Sequence, residues 1–277
     1  MGLDQLQVLS PPELLRRDVE CLLLYGFHGN QRVTTNVFPK GVPGIVFHHR
    51  NGNPAIESIQ VQSGRTASPQ TLFVYGPIVE SSVMNFGEGS YTVIQVVLKP
   101  HALRALFGIN ALALKDTSAE LNEFSSWDIN EQLLNVQGAQ SQAELLIDFL
   151  VSKLKQTNRR DDLVEESLRL IHNQVGTLTV RTLLEQFEIS ERQFERRFSQ
   201  TVGVSPYAYI RVKRFNEAIR LMKTRQCTTL TEIAYALNFH DQAHFIRDIK
   251  AFTGITPGNL SQRADHFFHN QAGYSYV

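Results

Sequence analysis

The C-terminal third of the chain repeats one pattern of apolar and polar positions twice. Residues 194–206 (FERRFSQTVGVSP) and 245–257 (FIRDIKAFTGITP) align at a spacing of 51 positions. In each run apolar side chains recur four residues apart, which places them on one face of a helix. Each run also has a glycine suited to a left-handed helix end and a proline three residues later. The pattern predicts two equivalent amphipathic helices, the first capped by Ser190 and the second by Asp241.

A shorter amphipathic helix is predicted ahead of each of these helices. Apolar residues follow the i, i+3, i+4, i+7 spacing at positions 180–187 and again at positions 230–237. Thr179 and Thr229 stand at the capping positions, and Thr229 with Glu232 has the sequence signature of a capping box. Each unit is therefore predicted to be a helix-turn-helix. A helical solenoid is the alternative, but solenoids need three or more stacked units and this chain has two.

A long helix is predicted to join the two units. Residues 206–223 (PYAYIRVKRFNEAIRLMK) begin with a proline, which suits a first helical turn, and include a stripe of apolar residues. A helix of that length spans roughly 26 Å. This comes near the ~34 Å that separates successive segments of a DNA major groove. The two copies of the unit are thus predicted to read two adjacent segments of one groove.

Polar and basic residues occupy the face of each second helix opposite the phenylalanines. They are Arg192, Glu195, Arg196 and Ser199 in the first unit, and Gln242, Ala243, Ile246, Arg247 and Lys250 in the second. Arg and Gln side chains can reach base edges in a major groove, and Ala or Ile can contact a thymine methyl group. For any one of these arginines taken singly, a solvated surface charge is the better explanation. The equivalent placement of Arg196 and Arg247 favours a shared role in binding DNA.

The run from Thr231 to Pro257 is similar to the signature of the AraC/XylS family of bacterial transcription regulators, and residues 178–260 as a whole resemble that family's DNA-binding domain. The resemblance implies base contacts from the residues just after each recognition-helix cap. By position these are Arg192, Glu195, Arg196, Gln242, Ala243, His244 and Arg247, and the outward face adds Lys250. Glu195 either accepts from a cytosine amino group or lies off the bases. Asn238 stands where the family usually has a turn glycine, and asparagine tolerates left-handed geometry.

Formal charge is unevenly distributed along the chain, although the total is zero. Residues 178–260 carry 12 Lys and Arg against 8 Asp and Glu, residues 1–115 carry 9 against 7, and residues 116–177 carry 5 against 11. A neutral total would argue weakly against a nucleic-acid partner. The segregation instead gives the predicted DNA-binding part a net positive charge.

The N-terminal half follows a different pattern, with short β-prone runs separated by Gly, Pro and Asn. The runs are residues 21–27, 32–38, 44–49, 56–64, 70–76 and 91–98. They predict a β-sandwich or barrel, followed by a short helix at 101–108 and by helices within 129–156 and 163–174. The predicted fold class is α+β. A mostly β sensory-type or dimerisation-type domain with trailing helices spans 1–156. A helical linker with a charged run at 156–162 leads to an all-α DNA-binding domain with two helix-turn-helix units at 161–260, and a tail spans 261–277.

No catalytic residue, metal site or cofactor is predicted. His48 and His49 are adjacent in a strand, so their side chains point to opposite faces and cannot easily share an ion. The alternative function is a DNA reader fused to an enzyme, as in the alkyl-transfer repair proteins with a zinc-held cysteine. That chemistry needs clustered cysteines. The N-terminal half has Cys21 alone, and Cys227 lies in the other half.

The expected partners follow from this interpretation. They are double-stranded DNA, RNA polymerase if the protein is an activator, and either a small-molecule effector or a second copy of the chain at the N-terminal domain. Because no charged cluster marks that domain, the effector is expected to be mostly apolar or neutral. A cytoplasmic location is expected, since no signal region or membrane-length apolar run is present. The tail aromatics Phe267, Phe268, Tyr274 and Tyr276 indicate either a partner-docking patch or a partly disordered end.

Overall fold

Strands build the N-terminal part of the protein and helices build the C-terminal part, which confirms the predicted α+β class. The computed structural model describes residues 6–115, 117–124, 128–157, 159–224, 227, 229–254, 256–257 and 274–276 of the 277-residue chain. Each of the six predicted β-prone runs contains a strand, and shorter strands join them. In chain order the strands are β1 (Gln7–Leu9), β2 (Val19–Phe27), β3 (Val33–Val37), β4 (Gly44–His49), β5 (Ile56–Val61), β6 (Thr66–Ala67), β7 (Leu72–Tyr75), β8 (Ser82–Phe86), β9 (Tyr91–Leu98), β10 (Ser118–Glu120) and β11 (Tyr274–Tyr276).

The strands form a two-sheet sandwich, which is one of the two β architectures predicted. One sheet has the order β1-β2-β9-β4-β7-β10 and the other the order β11-β3-β8-β5-β6, and each pairing is antiparallel. Strand β11 belongs to the predicted tail and pairs with β3, with Tyr274 opposite Val37. Phe267 and Phe268 lie outside the described residues.

The first sheet is buried on both faces, and this explains the continuous apolar runs of β2, β4 and β9. One face packs on the second sheet through side chains such as Leu23, Phe73 and Phe86. The other face packs on three helices through side chains such as Leu22, Ile94 and Phe149. Those helices are α1 (Ala102–Phe107), α2 (Ile129–Asn135) and α3 (Ala139–Gln156).

Both histidines singled out in the sequence lie on β4, in different surroundings. His48 is buried, and its Nδ1 accepts hydrogen bonds from the backbone N–H groups of Ala55 and Ile56 at 3.0 and 3.1 Å. Burial lowers the pKa of His48 to about 4, so the ring is neutral. The Nε2 of His49 lies 3.4 Å from the side-chain nitrogen of Gln142 on α3. His48 therefore secures the turn before β5.

Six further helices form the C-terminal helical part within the described residues. They are α4 (Asp162–Asn173), α5 (Val180–Phe187), α6 (Glu191–Val202), α7 (Pro206–Thr224), α8 (Leu230–Ala236) and α9 (Gln242–Thr253). The helix α7 joins two hydrophobic cores. Tyr209 and Ile210 lie in the core formed with α4, α5 and α6, whereas Phe215 and Ile219 lie in the core formed with α8 and α9.

Two loops of the sandwich pack against these helical cores. Phe38 of the β3–β4 loop (residues 38–43) is buried in the core of α8 and α9. Val79 of the β7–β8 loop (residues 76–81) contacts both helical cores. Gly41 lies against Tyr209, whose ring would be 3.3 Å from an added β-carbon. The sandwich thus contacts both halves of the helical part.

The charged segment predicted to be a linker, residues 156–162, is anchored by ion pairs. The guanidinium of Arg160 donates two hydrogen bonds to the fully buried Asp18, at 2.7 and 2.9 Å. Arg17 pairs with Glu165 of α4 at 2.8 Å. Burial by itself raises the pKa of Asp18, but hydrogen bonds from His101 and Arg160 outweigh it and hold the pKa below its usual value. These contacts fasten the start of α4 to the sandwich.

Candidate nucleic-acid interface

Both predicted helix-turn-helix units are present in the structure. In the first unit α5 leads into α6, and in the second unit α8 leads into α9. The left-handed glycine ends predicted for the second helices are confirmed, with φ of 91° at Gly203 and 74° at Gly254. The phenylalanine faces are buried as predicted: Phe194, Phe198 and Phe245 are fully inaccessible to solvent.

The helix caps differ between the units. The Thr229 hydroxyl accepts from the Glu232 N–H at 3.1 Å, and the Glu232 carboxylate accepts from the Thr229 N–H at 3.2 Å, which confirms the capping box. Asp241 accepts from the His244 N–H and caps α9. Thr179 caps α5 in the same way through the Thr182 N–H. Ser190 stands at the cap position of α6 but makes no capping bond through its side chain.

Each turn uses a residue in the left-handed region. Asn238 has φ of 54°, so the tolerance of asparagine expected from the sequence is confirmed. Glu188 has φ of 49° at the matching position of the first turn. The sequence does not predict a left-handed residue there. Residues with a β-carbon are strained in this conformation, although asparagine less than most.

Most of the residues predicted to contact bases are exposed. Arg192, Glu195 and Arg196 are exposed on α6, and Gln242, Ala243, Arg247 and Lys250 are exposed on α9. His244 is half-buried, with its ring centroid 5.3 Å from that of Phe239. The prediction that Ile246 faces outward is wrong in part, because this side chain is half-buried against the core of the second unit.

The basic side chains of the helical part fall into two groups. Arg192, Arg196, Arg247 and Lys250 form no ion pair with any residue that the structure describes. By contrast, Arg197 donates two hydrogen bonds to Asp161 at 2.6 and 3.0 Å. Four exposed basic side chains that form no ion pair therefore lie on α6 and α9, beside the exposed acid Glu195 on α6.

Sequence reasoning missed the ion pairs that hold the units together. Arg211 of α7 donates two hydrogen bonds to Asp248 of α9, at 2.9 and 3.0 Å, and its guanidinium lies 4.8 Å from the ring centroid of Phe252. Burial alone raises the pKa of Asp161, but the hydrogen bonds from Arg197 outweigh it and lower that pKa. In the sequence, these two ion pairs are indicated only by a charged residue at a helix position that the apolar pattern predicts to be partly buried.

Similarity to known proteins defines the class of the C-terminal part. A family model described as "Helix-turn-helix domain" matches residues 183–263, and a model described as "Domain of unknown function (DUF6597)" matches residues 7–120. The chain thus carries a helix-turn-helix domain of the AraC/XylS type, as the sequence predicted.

Individual proteins and solved structures are also similar to parts of the chain. The chain is 31% identical over 83 residues to the HTH-type transcriptional activator RhaS of Escherichia coli O139:H28. That match spans 30% of this chain and 30% of RhaS. Among solved structures, an apo variant of ToxT from Vibrio cholerae strain SCE256 covers 87% of this chain and 96% of its own, with 15% identity and a TM-score of 0.47. The xylose-binding transcription activator XylR covers 46% of this chain and 40% of its own, with 18% identity and a TM-score of 0.33.

Proposed function

We propose that this protein is a sequence-specific transcription regulator that inserts α6 and α9 into successive major-groove segments of double-stranded DNA. The observation that carries the proposal is the equivalent placement of exposed basic side chains that form no ion pair, Arg192 and Arg196 on α6 and Arg247 and Lys250 on α9. A cation without a protein counter-ion is free to neutralise phosphate or to donate to a base edge. The proposed contact residues are Arg192, Glu195, Arg196, Gln242, Ala243, His244, Arg247 and Lys250.

The two equivalent arginines provide the test. A bidentate Arg–guanine contact gives roughly 1–3 kcal/mol of discrimination against a wrong base. We expect Arg247→Ala to weaken binding to the specific site by about tenfold or more and to relax preference at one base pair. Arg196→Ala should relax preference at a base pair about 10 bp away. The measurement is a titration of both variants against single-base variants of a site selected from random duplex DNA, at two salt concentrations.

Arg16→Ala is the matched control, because Arg16 is an exposed arginine in the N-terminal part of the chain. It should leave both affinity and base preference unchanged. If Arg247→Ala and Arg196→Ala lose affinity equally for every sequence, these arginines bind phosphates and the assignment to the groove is wrong. Phosphate contacts would also appear as a smaller salt dependence of binding in the variants.

The proposal also assigns different functions to the two parts of the chain. We assign DNA binding to residues 161–260 and small-molecule sensing or dimerisation to residues 1–156. A fragment of residues 161–277 should then fold and bind the same site as the full chain. Circular dichroism and a binding titration of the fragment check this. An unfolded fragment, or a folded one without affinity for that site, would show that the boundary is misplaced.

Activation through RNA polymerase and a cytoplasmic location complete the proposed role. RhaS, which the helix-turn-helix domain matches, is a transcriptional activator. None of the helices in the described part of the chain combines the length and apolar character needed to cross a membrane. Transcription from a reporter carrying the selected site, with and without the protein, separates activation from repression.

The alternative of an enzyme fused to a DNA reader finds no support in the described residues. A cysteine that transfers an alkyl group reacts as a thiolate. Burial raises the pKa of the Cys21 thiol to about 11, which keeps it protonated at neutral pH. We therefore propose that the protein is not an enzyme. Zinc quantification in the purified protein separates the two functions, since the alternative requires a bound metal.

A further inference from the structure

The β7–β8 loop, residues 76–81, contacts the C-terminal ends of both α6 and α9. Pro77 packs on Gly203, the left-handed residue that ends α6, because a β-carbon added there would lie 3.0 and 3.1 Å from two carbons of the proline ring. Farther along the loop, the Ser81 hydroxyl donates to the carbonyl oxygen of Phe252 in the last turn of α9. One short segment of the N-terminal part therefore connects the two helix-turn-helix units.

Between these two contacts, Val79 touches both units at once. Its half-buried side chain packs on the core of α4, α5 and α6 and also on the core of α8 and α9. The helix α7 contributes to the same two cores. The units are thus joined by α7 from within the helical part and by the β7–β8 loop from the sandwich.

The loop itself is fixed to the rest of the sandwich by its backbone. The carbonyl oxygen of Ile78 accepts from the Gly41 N–H at 2.8 Å, and the carbonyl oxygen of Ser81 accepts from the Gln62 N–H at 2.9 Å. The ring of Pro77 restricts its own φ. A segment held at several points moves with the sandwich, so it can position the helices that pack on it.

The bond from Ser81 stabilises the end of α9 in a specific way. The last four carbonyl groups of an α-helix have no partner within the helix. Phe252 lies in the last turn of α9, and Gly254 follows that turn as the C-terminal cap. Ser81 therefore satisfies a carbonyl group at this end of the helix from the sandwich, and it fixes the position of that end.

The loop holds the ends of α6 and α9 that lie opposite the proposed base contacts. Arg192 and Gln242 lie in the first turns of the two helices, whereas Gly203 and Phe252 lie at the other ends. Each helix has 12 residues and is about 18 Å long. A tilt of about 5° at the held end would therefore move the first turn by about 1.6 Å. Binding groups need to be placed to within about 0.5 Å, so the packing at the loop matters for the far end of each helix.

We propose that the β7–β8 loop is a brace that fixes the angle between α6 and α9, with Pro77, Val79 and Ser81 as positioning residues. The brace holds the two sets of base contacts at one spacing before DNA binds, so that binding does not have to order them. The consequence for DNA rests on the proposed function, whereas the fixed angle between the helices does not. Through this loop the N-terminal part determines which spacing of two half-sites the protein prefers.

The first experiment measures the arrangement of the helices in the full chain without DNA. Spin labels at Gln193→Cys on α6 and Ala251→Cys on α9 report the distance between the helices by pulsed electron paramagnetic resonance. Both positions are exposed and are not proposed DNA contacts. Cys227 is replaced by Ser, and Cys21 stays because it is buried. We expect one narrow distance distribution when the loop is intact.

Variants of the loop remove its contacts one at a time. Pro77→Ala removes ring atoms that pack on α6, Ser81→Ala removes the bond to α9, and Val79→Ala reduces the contact with both cores. Each should broaden the distance distribution, and the triple variant should broaden it most. Circular dichroism should stay unchanged, because the truncations leave the two helical cores in place. Ser63→Ala, at an exposed serine between β5 and β6, is the matched control and should leave the distribution as it is.

The second experiment measures the preferred spacing on DNA. The duplexes carry the selected site with its halves at their native separation, or with one base pair inserted or removed between them. The wild type should bind the native separation most tightly, because one base pair rotates one half by about 35°. Val79→Ala and Ser81→Ala should each lose about twofold to tenfold in affinity at the native separation and less at the shifted ones. Discrimination between separations should therefore fall in both variants.

The outcomes separate the brace from the proposed function. Broader distance distributions together with lower discrimination support the brace. Tighter binding of DNA in the loop variants, or an equal loss at every separation with unchanged distributions, overturns it. Broader distributions in a protein with no specific affinity for DNA would leave the brace standing and remove the proposed function. Specific DNA binding, with distributions and spacing preference unchanged in every loop variant, would do the reverse.

Discussion

The two helix-turn-helix units share one plan but are stabilised in different ways. In the second unit the sequence-local signals are complete, with a capping box on α8 and an Asp241 cap on α9. The first unit lacks the side-chain cap on α6, and its turn passes through Glu188 in a left-handed conformation. Instead, α6 packs against α1 and against the 3₁₀ turn Ala111–Leu114 of the N-terminal part. Gly203, at the end of α6, lies against Ala111 and Pro77.

The difference shows that equivalent positions in a repeat can draw stability from different sources. Side-chain caps begin both helices of the second unit, whereas α6 of the first unit packs on α1 and on residues 111–114 without such a cap. The N-terminal part contacts the second unit as well, because Phe38 is buried in its core. Apart from the β7–β8 loop, which contacts both cores, the N-terminal part therefore reaches the two units at different places: the helix α6 in the first and the hydrophobic core in the second.

The largest effect is expected from truncating the matched phenylalanines. Phe194 and Phe245 are both fully buried, so Phe194→Ala and Phe245→Ala should each lower the free energy of unfolding by about 3–5 kcal/mol. Hydrogen exchange distinguishes them. Phe194→Ala should also speed exchange in α1 and in residues 111–114, because α6 packs there. Phe245→Ala should leave exchange in those segments unchanged, and equal exchange patterns in both variants would contradict the comparison.

A smaller effect is expected from the two Arg–Asp pairs. Asp161→Asn and Asp248→Asn should each lower the free energy of unfolding by about 1–3 kcal/mol, because each leaves a partly buried guanidinium without its carboxylate. Asp161→Asn should cost more, since Arg197 has no other partner in the described part of the chain, whereas Arg211 also lies over the Phe252 ring. Chemical denaturation of both variants at neutral pH measures the difference.

The pH dependence of the Asp161 pair follows from its lowered pKa. A carboxyl whose pKa is lower in the folded state stabilises the fold above its unfolded pKa and loses that contribution as pH falls through the folded value. The gap in stability between the wild type and Asp161→Asn should therefore be full at neutral pH and shrink below about pH 4. A gap that stays constant as the pH falls well below 4 would show that the charge of Asp161 is not what stabilises α4.

Removing the side chains at the two cap positions should give free energies of unfolding that differ by about 1 kcal/mol between the Asp241 and Ser190 variants. Asp241→Ala removes a capping bond that the structure contains, and such substitutions cost about 0.5–2 kcal/mol. Ser190→Ala removes a side chain that makes none, so its cost should stay below about 0.5 kcal/mol. Thermal denaturation of both variants is the measurement. Equal losses would mean that Ser190 caps α6 in solution.

The smallest effect concerns the left-handed turn residues and has the opposite sign. Glu188→Gly should stabilise the protein by up to about 1 kcal/mol, because glycine adopts this conformation without strain. Asn238→Gly should change stability less, since asparagine already tolerates the conformation. A loss of stability in Glu188→Gly, measured by chemical denaturation, would mean that the Glu188 side chain makes contacts worth more than the strain.

Local features were predictable from the sequence, and features that join distant segments were not. The caps at Thr229 and Asp241, the glycine ends and the longer strands all depend on residues within a few positions of each other. Strand β8 was missed although its burial alternates along Ser82–Phe86, because Val83 and Phe86 are its only residues of high β propensity. The edge strands β1, β6 and β10 are shorter still.

The contacts between the sandwich and the helical part could not be predicted from the sequence, for a physical reason. Phe38 lies at the end of a run whose sequence predicts a strand, and Val79 lies in a segment whose sequence predicts a loop. No local sequence pattern indicates that these residues contact helices far along the chain. The exposed face of each second helix was predictable because a helical repeat fixes which side chains share a face.

If the two units bind DNA as proposed, the helix α7, 19 residues long, also determines how they can be spaced on it. Its length is about 28 Å, and it is packed on both cores, so the separation of α6 and α9 is set by a rigid element. Each base pair added between two groove segments turns one about the duplex axis by about 35° relative to the other. A protein that reads DNA in this way cannot follow such a rotation. Insertions or deletions between the two half-sites of an operator would therefore be far more damaging than substitutions there.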